Sequence, residues 1–81
     1  MTFEEYELLA KQGLPEAQYN FGLLFSTGNG VAKDDKEAVK WYRLSAEQGF
    51  AQAQTNLGLM YGKGLGVKQN YNEAFKWYEL A

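Results

Sequence analysis

The sequence predicts an all-α fold: an α-α superhelix, or solenoid, of antiparallel helix pairs with five helices in all. Three observations predict it. The 81-residue chain repeats itself at a spacing of 36, with 14 identities between residues 17–45 and residues 53–81. Within each copy the apolar residues recur at helical spacing in two separate stretches. Between the two stretches stands a glycine pair, Gly28 and Gly30 in one copy and Gly64 and Gly66 in the other. A two-helix unit of this length cannot bury its apolar face alone, so neighbouring units must stack.

A half unit comes first. Residues 1–15 set against 37–51 keep Tyr6, Leu8, Ala10, Gln12 and Gly13, so 1–14 reads as the second half of a unit, followed by whole units over 15–50 and 51–81 in a single domain. Thr2 precedes Glu5 by three residues, the spacing of a capping box in which the Thr oxygen accepts a first-turn amide and the Glu reaches back. Gly13 then closes the helix. Glu5 occupies the position of Trp41 and Trp77 in the later units. That polar replacement is expected of an end helix whose outer face meets water.

The next helix has Pro15 in its first turn, where proline's fixed backbone angle is no burden. Its stripe is Ala17, Phe21, Leu24 and Phe25, at i, i+4, i+7 and i+8. Gly28 ends it. Gly22 lies inside it at a cost of about 1 kcal/mol relative to alanine, which predicts that a neighbouring helix approaches closely. Gly28 and Gly30 form the turn, and Val31 is expected to tuck between the helices. The following helix is capped by Asp34, with Glu37 three residues on, carries the stripe Ala38, Trp41, Tyr42 and Ser45, and closes at Gly49.

The last two helices repeat this scheme. Ala53, Leu57, Met60 and Tyr61 form the first stripe, with Gly58 inside it and Gly64 at its end. Asn70 and Glu73 cap the second, whose stripe is Ala74, Trp77, Tyr78 and Ala81. The stripes are expected to meet in one continuous apolar seam. A Gly-x-Gly can also cradle phosphate, but such loops follow a strand and open a helix, whereas these follow helices. Gly62, Lys63 and Gly64 lack the upstream glycine spacing and the Ser or Thr of a phosphate loop.

Composition excludes several functions. Eight Lys and Arg against ten Asp and Glu give a net charge of −2, without the basic block of a nucleic-acid binder. With no Cys and no His, thiolate or imidazole metal sites and disulfides are impossible, so neither metal nor cofactor is implied. There is no Ser-x-x-Lys, and the carboxylates sit mostly at helix starts where capping accounts for them. Apolar runs are too short to span a bilayer, and residues 1–15 carry Glu4, Glu5, Glu7 and Lys11 where a signal peptide needs an apolar core. As written the chain reads as cytoplasmic, with no membrane partner; a signal peptide removed beforehand would leave no trace.

The elements A-x-x-x-L/F-G, G-x-G-V, E-A-x-K-W-Y and Ala-Glu-Gln-Gly occur together in this order, across "EAQYNFGLLFSTGNGVAKDDKEAVKWYRLSAEQGF" and "QAQTNLGLMYGKGLGVKQNYNEAFKWYELA". In these the chain resembles the Sel-one-like repeat (SLR), a relative of the tetratricopeptide repeat with a longer, glycine-containing turn. The resemblance covers almost the whole sequence. It implies a tetratricopeptide-like right-handed superhelix serving as a scaffold or adaptor for proteins, common in bacteria. Some bacterial relatives are cysteine-rich and associated with penicillin binding or β-lactamase activity; the absence of Cys sets this chain apart from them.

By similarity to tetratricopeptide units, the first helix of each pair lines a concave surface for a peptide or a partner helix. The groove-facing positions would be Glu16, Tyr19, Asn20, Leu23 and Thr27, then Gln52, Thr55, Asn56, Leu59 and Lys63. Asn20 and Asn56 are the leading candidates, since an amide both donates and accepts and can clamp a peptide main chain. Lys63 would add a charge-assisted contact to a terminal carboxylate. The alternative is that both asparagines only fix the packing of repeats. Trp41, Tyr42, Trp77 and Tyr78 read as core, and Lys33, Lys36, Lys40, Lys68 and Lys76 as solvated outer faces.

The function expected is non-catalytic protein or peptide binding on the concave face. Two alternatives stand beside it: an enzyme of the penicillin-interacting or β-lactamase kind, and an idealised repeat with no partner. The last helix keeps Phe75, Trp77 and Tyr78 but stops at Ala81, short of the Ala46–Gly49 segment of its counterpart. A fragment of a longer array, a truncated final unit, and a face covered by a second copy, making a homo-oligomer through the C-terminal helix, each account for this.

Overall fold

Five α-helices follow one another along residues 1–81 of the computed structural model: α1 (Phe3–Lys11), α2 (Pro15–Thr27), α3 (Asp35–Glu47), α4 (Ala51–Lys63) and α5 (Tyr71–Leu80). There is no strand, and each helix packs against its neighbours in the chain, giving a slab of 34 × 24 × 13 Å. The helix starts are set by the expected caps, Thr2, Asp34 and Asn70, whose side chains accept the amides of Glu5, Glu37 and Glu73. Pro15 stands at the start of α2 as expected, and the N-caps of α2 and α4, Leu14 and Phe50, make no side-chain bond.

The full capping box forms only at Thr2, whose N–H donates to Glu5 Oε1 at 2.9 Å. At the other two caps the expectation fails for a tertiary reason. The Asp34 N–H donates to Phe25 O at 2.9 Å and the Asn70 N–H to Tyr61 O at 3.0 Å. The cap amide thus ties α3 to α2 and α5 to α4, and Glu37 and Glu73 have no donor left to reach back for. Gly28 and Gly64 terminate α2 and α4 in the left-handed conformation, both at φ 69°. Their amides close the last turn on Leu24 O and Met60 O.

The glycines inside α2 and α4 do mark close approach. A Cβ on Gly22 would lie 2.9 Å from the Tyr42 ring and 3.2 Å from Ala38 O, and one on Gly58 would lie 2.8 Å from the Tyr78 ring and 3.1 Å from Ala74 O. Tyrosine and glycine are therefore one contact written twice. Val67 packs against the main core and Val31 is half-buried in the equivalent turn.

The seam is not a single cluster. Ala10, Ala17, Phe21 and Trp41 form one buried group; Val39, Tyr42, Leu57, Met60 and Trp77 belong to a larger one. Phe25, half-buried, packs against both and joins them. The chain adds polar rivets between units and within one. Gln18 Nε2 donates to Ala10 O and Gln54 Nε2 to Ala46 O, each at 3.2 Å, while Ser45 Oγ donates to Pro15 O at 2.7 Å.

Candidate functional site

The faces of α2 and α4 carry the sequence-derived site residues at helical spacing, and clefts open beside them. One cleft, of about 350 Å³, is lined by Tyr6, Asn20, Leu23, Leu24 and Asn29, with Phe3 at its edge. A second, of about 280 Å³, is lined by Tyr42, Asn56, Leu59, Met60 and Leu65. Each of those five residues stands 36 positions after its counterpart in the first cleft. The two clefts are thus one site made twice, and Leu23 and Ser26 of α2 form a further wall of the second. A third opening of about 450 Å³ takes in Glu16, Asn20, Tyr6 and Phe50.

At the second cleft the Tyr42 hydroxyl lies 2.8 Å from Ser26 Oγ. Burial pushes the Tyr42 pKa up, against the opposite pull of hydrogen bonding from Ser26 and Asn56. Asn56 of the second unit and Tyr42 of the first line this cleft together. Asn20 occupies the same position beside Tyr6 and opens onto two clefts.

Of the ten sequence-derived residues, the structure brings Asn20 and Leu23 together in one cleft, Leu23, Asn56 and Leu59 in the next, and Glu16 and Asn20 in the third. Tyr19 lies apart from them. Its ring sits between Tyr42 and Phe50, with centroids 6.0 and 5.4 Å away. Thr27 Oγ1 donates back to Leu23 O at 2.7 Å, and Gln52, Thr55 and Lys63 are exposed and line no cleft. The sequence reasoning did not include Tyr6, Leu24, Met60 and Leu65 among the site residues. The 36-residue spacing of Tyr6 from Tyr42 was the available signal. Lys40 and Lys76, read as solvated, lie over the Trp41 and Trp77 rings at 5.1 and 5.3 Å.

No group of three or more acidic, His or Cys side chains converges to hold a metal ion, and no helix is long and apolar enough to cross a membrane. The family model for the Sel1 repeat matches residues 15–50 and again residues 51–81. The chain belongs to the Sel1 repeat family. Its fold is that of solved Sel1 repeat proteins from bacteria. A Sel1 repeat protein from Oxalobacter formigenes is 51% identical with a TM-score of 0.83, over 85% of this chain and 28% of that one. The protein c5321, a protective antigen of uropathogenic Escherichia coli displaying an SLR fold, is 44% identical with a TM-score of 0.95, over 96% of this chain and 17% of that one. Cysteine-rich protein B of Helicobacter pylori shares the fold at a TM-score of 0.92 and 22% identity, over 96% of this chain and 59% of that one. This Sel1 chain therefore spans only a minor part of the first two relatives. No curated protein matches it. Sel1 repeat proteins are generally protein-interaction modules.

Proposed function

We propose that this chain is a non-catalytic module that holds a peptide or partner helix across the faces of α2 and α4. The observation that carries the proposal is the duplication of one cleft, Tyr6–Asn20–Leu23 and then Tyr42–Asn56–Leu59, at one repeat's separation. Equivalent pockets at a regular interval suit a polymer whose own side chains recur regularly, and a lone substrate has no use for the second copy. Each pocket sets the equivalent asparagine, Asn20 or Asn56, among apolar walls, with Asn29 a second amide in the first and Lys33 and Asp35 at the second. The walls take an apolar side chain, and the amide pairs with the peptide main chain. Glu16 and Lys63, both exposed, would flank the bound segment with opposite charges.

The test uses a displayed library of random peptides selected on the purified chain. Selected peptides should bind the double variant Asn20→Ala, Asn56→Ala at least tenfold more weakly, with the circular dichroism spectrum unchanged. Equal affinity for the double variant would reject the assignment, and loss of helix would assign the asparagines to packing instead.

A further inference from the structure

The turn between α2 and α3 holds Asn29 followed by Gly30, the one Asn-Gly step among the chain's five asparagines. Both residues are exposed. The Asn29 N–H is anchored on Leu24 O at 2.9 Å, and the next main-chain anchor is the Asp34 N–H on Phe25 O, also at 2.9 Å. Between the two anchors the chain is untied: neither the Gly30 N–H nor the Asn29 side-chain amide forms a hydrogen bond within the protein. This freedom belongs to the turn itself. Gly66, the counterpart of Gly30, packs beside Asp35 of the preceding unit and its N–H is unbonded as well, so cover by a neighbouring unit does not occupy that nitrogen.

A free main-chain nitrogen directly after an asparagine can close a five-membered ring on the side-chain carbonyl carbon. Glycine at that position helps, since it has no Cβ in the way and a wide choice of backbone angles. The other four asparagines are held. Asn20 and Asn56 lie inside α2 and α4, where the main-chain nitrogens that follow them carry helix hydrogen bonds. Asn70 Oδ1 accepts from the Glu73 N–H at 3.1 Å, which ties up the Asn70 side chain and also the nitrogen that follows Asn72.

We propose that Asn29 is a self-modification site. The Gly30 main-chain nitrogen attacks Asn29 Cγ and an N–Cγ bond forms. The Cγ–Nδ2 bond breaks, and Nδ2 leaves as ammonia with the proton that the Gly30 nitrogen gives up. Water then adds to one of the two carbonyl carbons of the cyclic imide. Opening on one side gives aspartate; opening on the other gives isoaspartate, whose main chain runs through Cβ and Cγ and is one atom longer. The untied stretch before Asp34 takes up that atom. Asn29 lines the first cleft with Tyr6, Asn20, Leu23 and Leu24, whereas its counterpart at the second is Leu65. The new carboxylate therefore enters one cleft and not the other, and since the change runs one way, the two equivalent clefts become unequal as the chain ages. Its effect on binding rests on the peptide reading of the clefts; the modification does not.

The purified chain, incubated warm in mildly alkaline buffer both folded and unfolded in guanidinium chloride, tests this by peptide mass spectrometry with fragmentation to locate each change. In the folded chain half of the Asn29 amide should be lost, to aspartyl and isoaspartyl products, before loss is detectable at any other asparagine. The folded chain should convert Asn29 about as fast as the unfolded one, and Asn29→Gln should release no ammonia on that timescale. Folding that slows Asn29 severalfold, or earlier loss at another asparagine, would overturn the proposal. In a 15N spectrum of the converted chain the side-chain amide of Asn20 should shift and that of Asn56 should stay in place; an unmoved Asn20 would overturn the placing of the charge in the first cleft. No peptide enters either measurement, so failure here and failure of the peptide site are read separately.

Discussion

The Tyr42 ring lies 2.9 Å from the point where a Gly22 side chain would begin, and the same contact recurs between Tyr78 and Gly58 at 2.8 Å. The two copies differ in freedom: Tyr42 is wholly buried, whereas one side of Tyr78 is open. Alanine gains about 1 kcal/mol over glycine in a helix, while overpacking costs about 1–3 kcal/mol where the neighbour cannot move. Gly22→Ala is therefore expected to destabilise the chain by up to about 2 kcal/mol and Gly58→Ala to be within about 0.5 kcal/mol of neutral. Urea denaturation of the two variants checks the difference, and equal costs would refute it.

A second asymmetry concerns the glutamine rivets. Gln18 Oε1 accepts from Gln48 Nε2 at 2.8 Å, whereas Gln54 Oε1 is buried with no partner. Leucine at position 18 removes two hydrogen bonds, the one to Ala10 O, which keeps the Gly13 N–H, and the one from Gln48, for an expected loss of about 1–3 kcal/mol. At position 54 it removes one hydrogen bond, to Ala46 O, which keeps the Gly49 N–H, and also removes the stranded Oε1, so the loss should be at most half as large. A larger cost at 54 than at 18, measured by urea denaturation, would contradict the hydrogen-bond assignment.

These asymmetries show where the sequence was legible. Helix number, caps and the Gly22 and Gly58 contacts followed from the 36-residue period and from side-chain chemistry, because those features are local or are repeated. The cap amides of Asp34 and Asn70 were not legible, since their acceptors, Phe25 O and Tyr61 O, are main-chain atoms of the preceding helix. Similarity to tetratricopeptide units puts Tyr19 at a groove position, yet its ring packs against Tyr42 and Phe50, which only the tertiary fold brings together. Leu24 and Met60 read as apolar-stripe residues, and in the structure they also line the clefts. Periodicity along one helix cannot separate those roles.

Tyr42 also gives the chain an alkaline limit. Its pKa is raised above the ordinary value of 10.0 by burial, so its contribution to stability is complete below that value and is lost as pH rises through the higher folded pKa. Between about pH 8 and about pH 11, Tyr42→Phe should flatten the decline of the denaturation midpoint. An unchanged slope for Tyr42→Phe would place the alkaline sensitivity elsewhere.

Glu5 acts at the acid end. Its pKa is lowered from 4.5 by the bond to the Thr2 amide and then by the Thr2 hydroxyl. A lowered carboxyl contributes stability above its unfolded value that disappears as pH falls through the folded one. Protection of the α1 amides, relative to their intrinsic exchange rate at each pH, should therefore fall below about pH 4.5 in the wild type, and Glu5→Gln should remove that acid step. A step that survives the substitution would separate it from the capping box.

The duplicated cleft is tested most directly by nuclear magnetic resonance of the 15N-labelled chain titrated with a library-selected peptide. Binding on the α2 and α4 faces should shift the side-chain amides of Asn20 and Asn56 and the backbone around Leu23 and Leu59, while α5 stays still. A peptide that binds and shifts only α5, or the outer surface of α3, with both asparagine amides unmoved, would contradict the site.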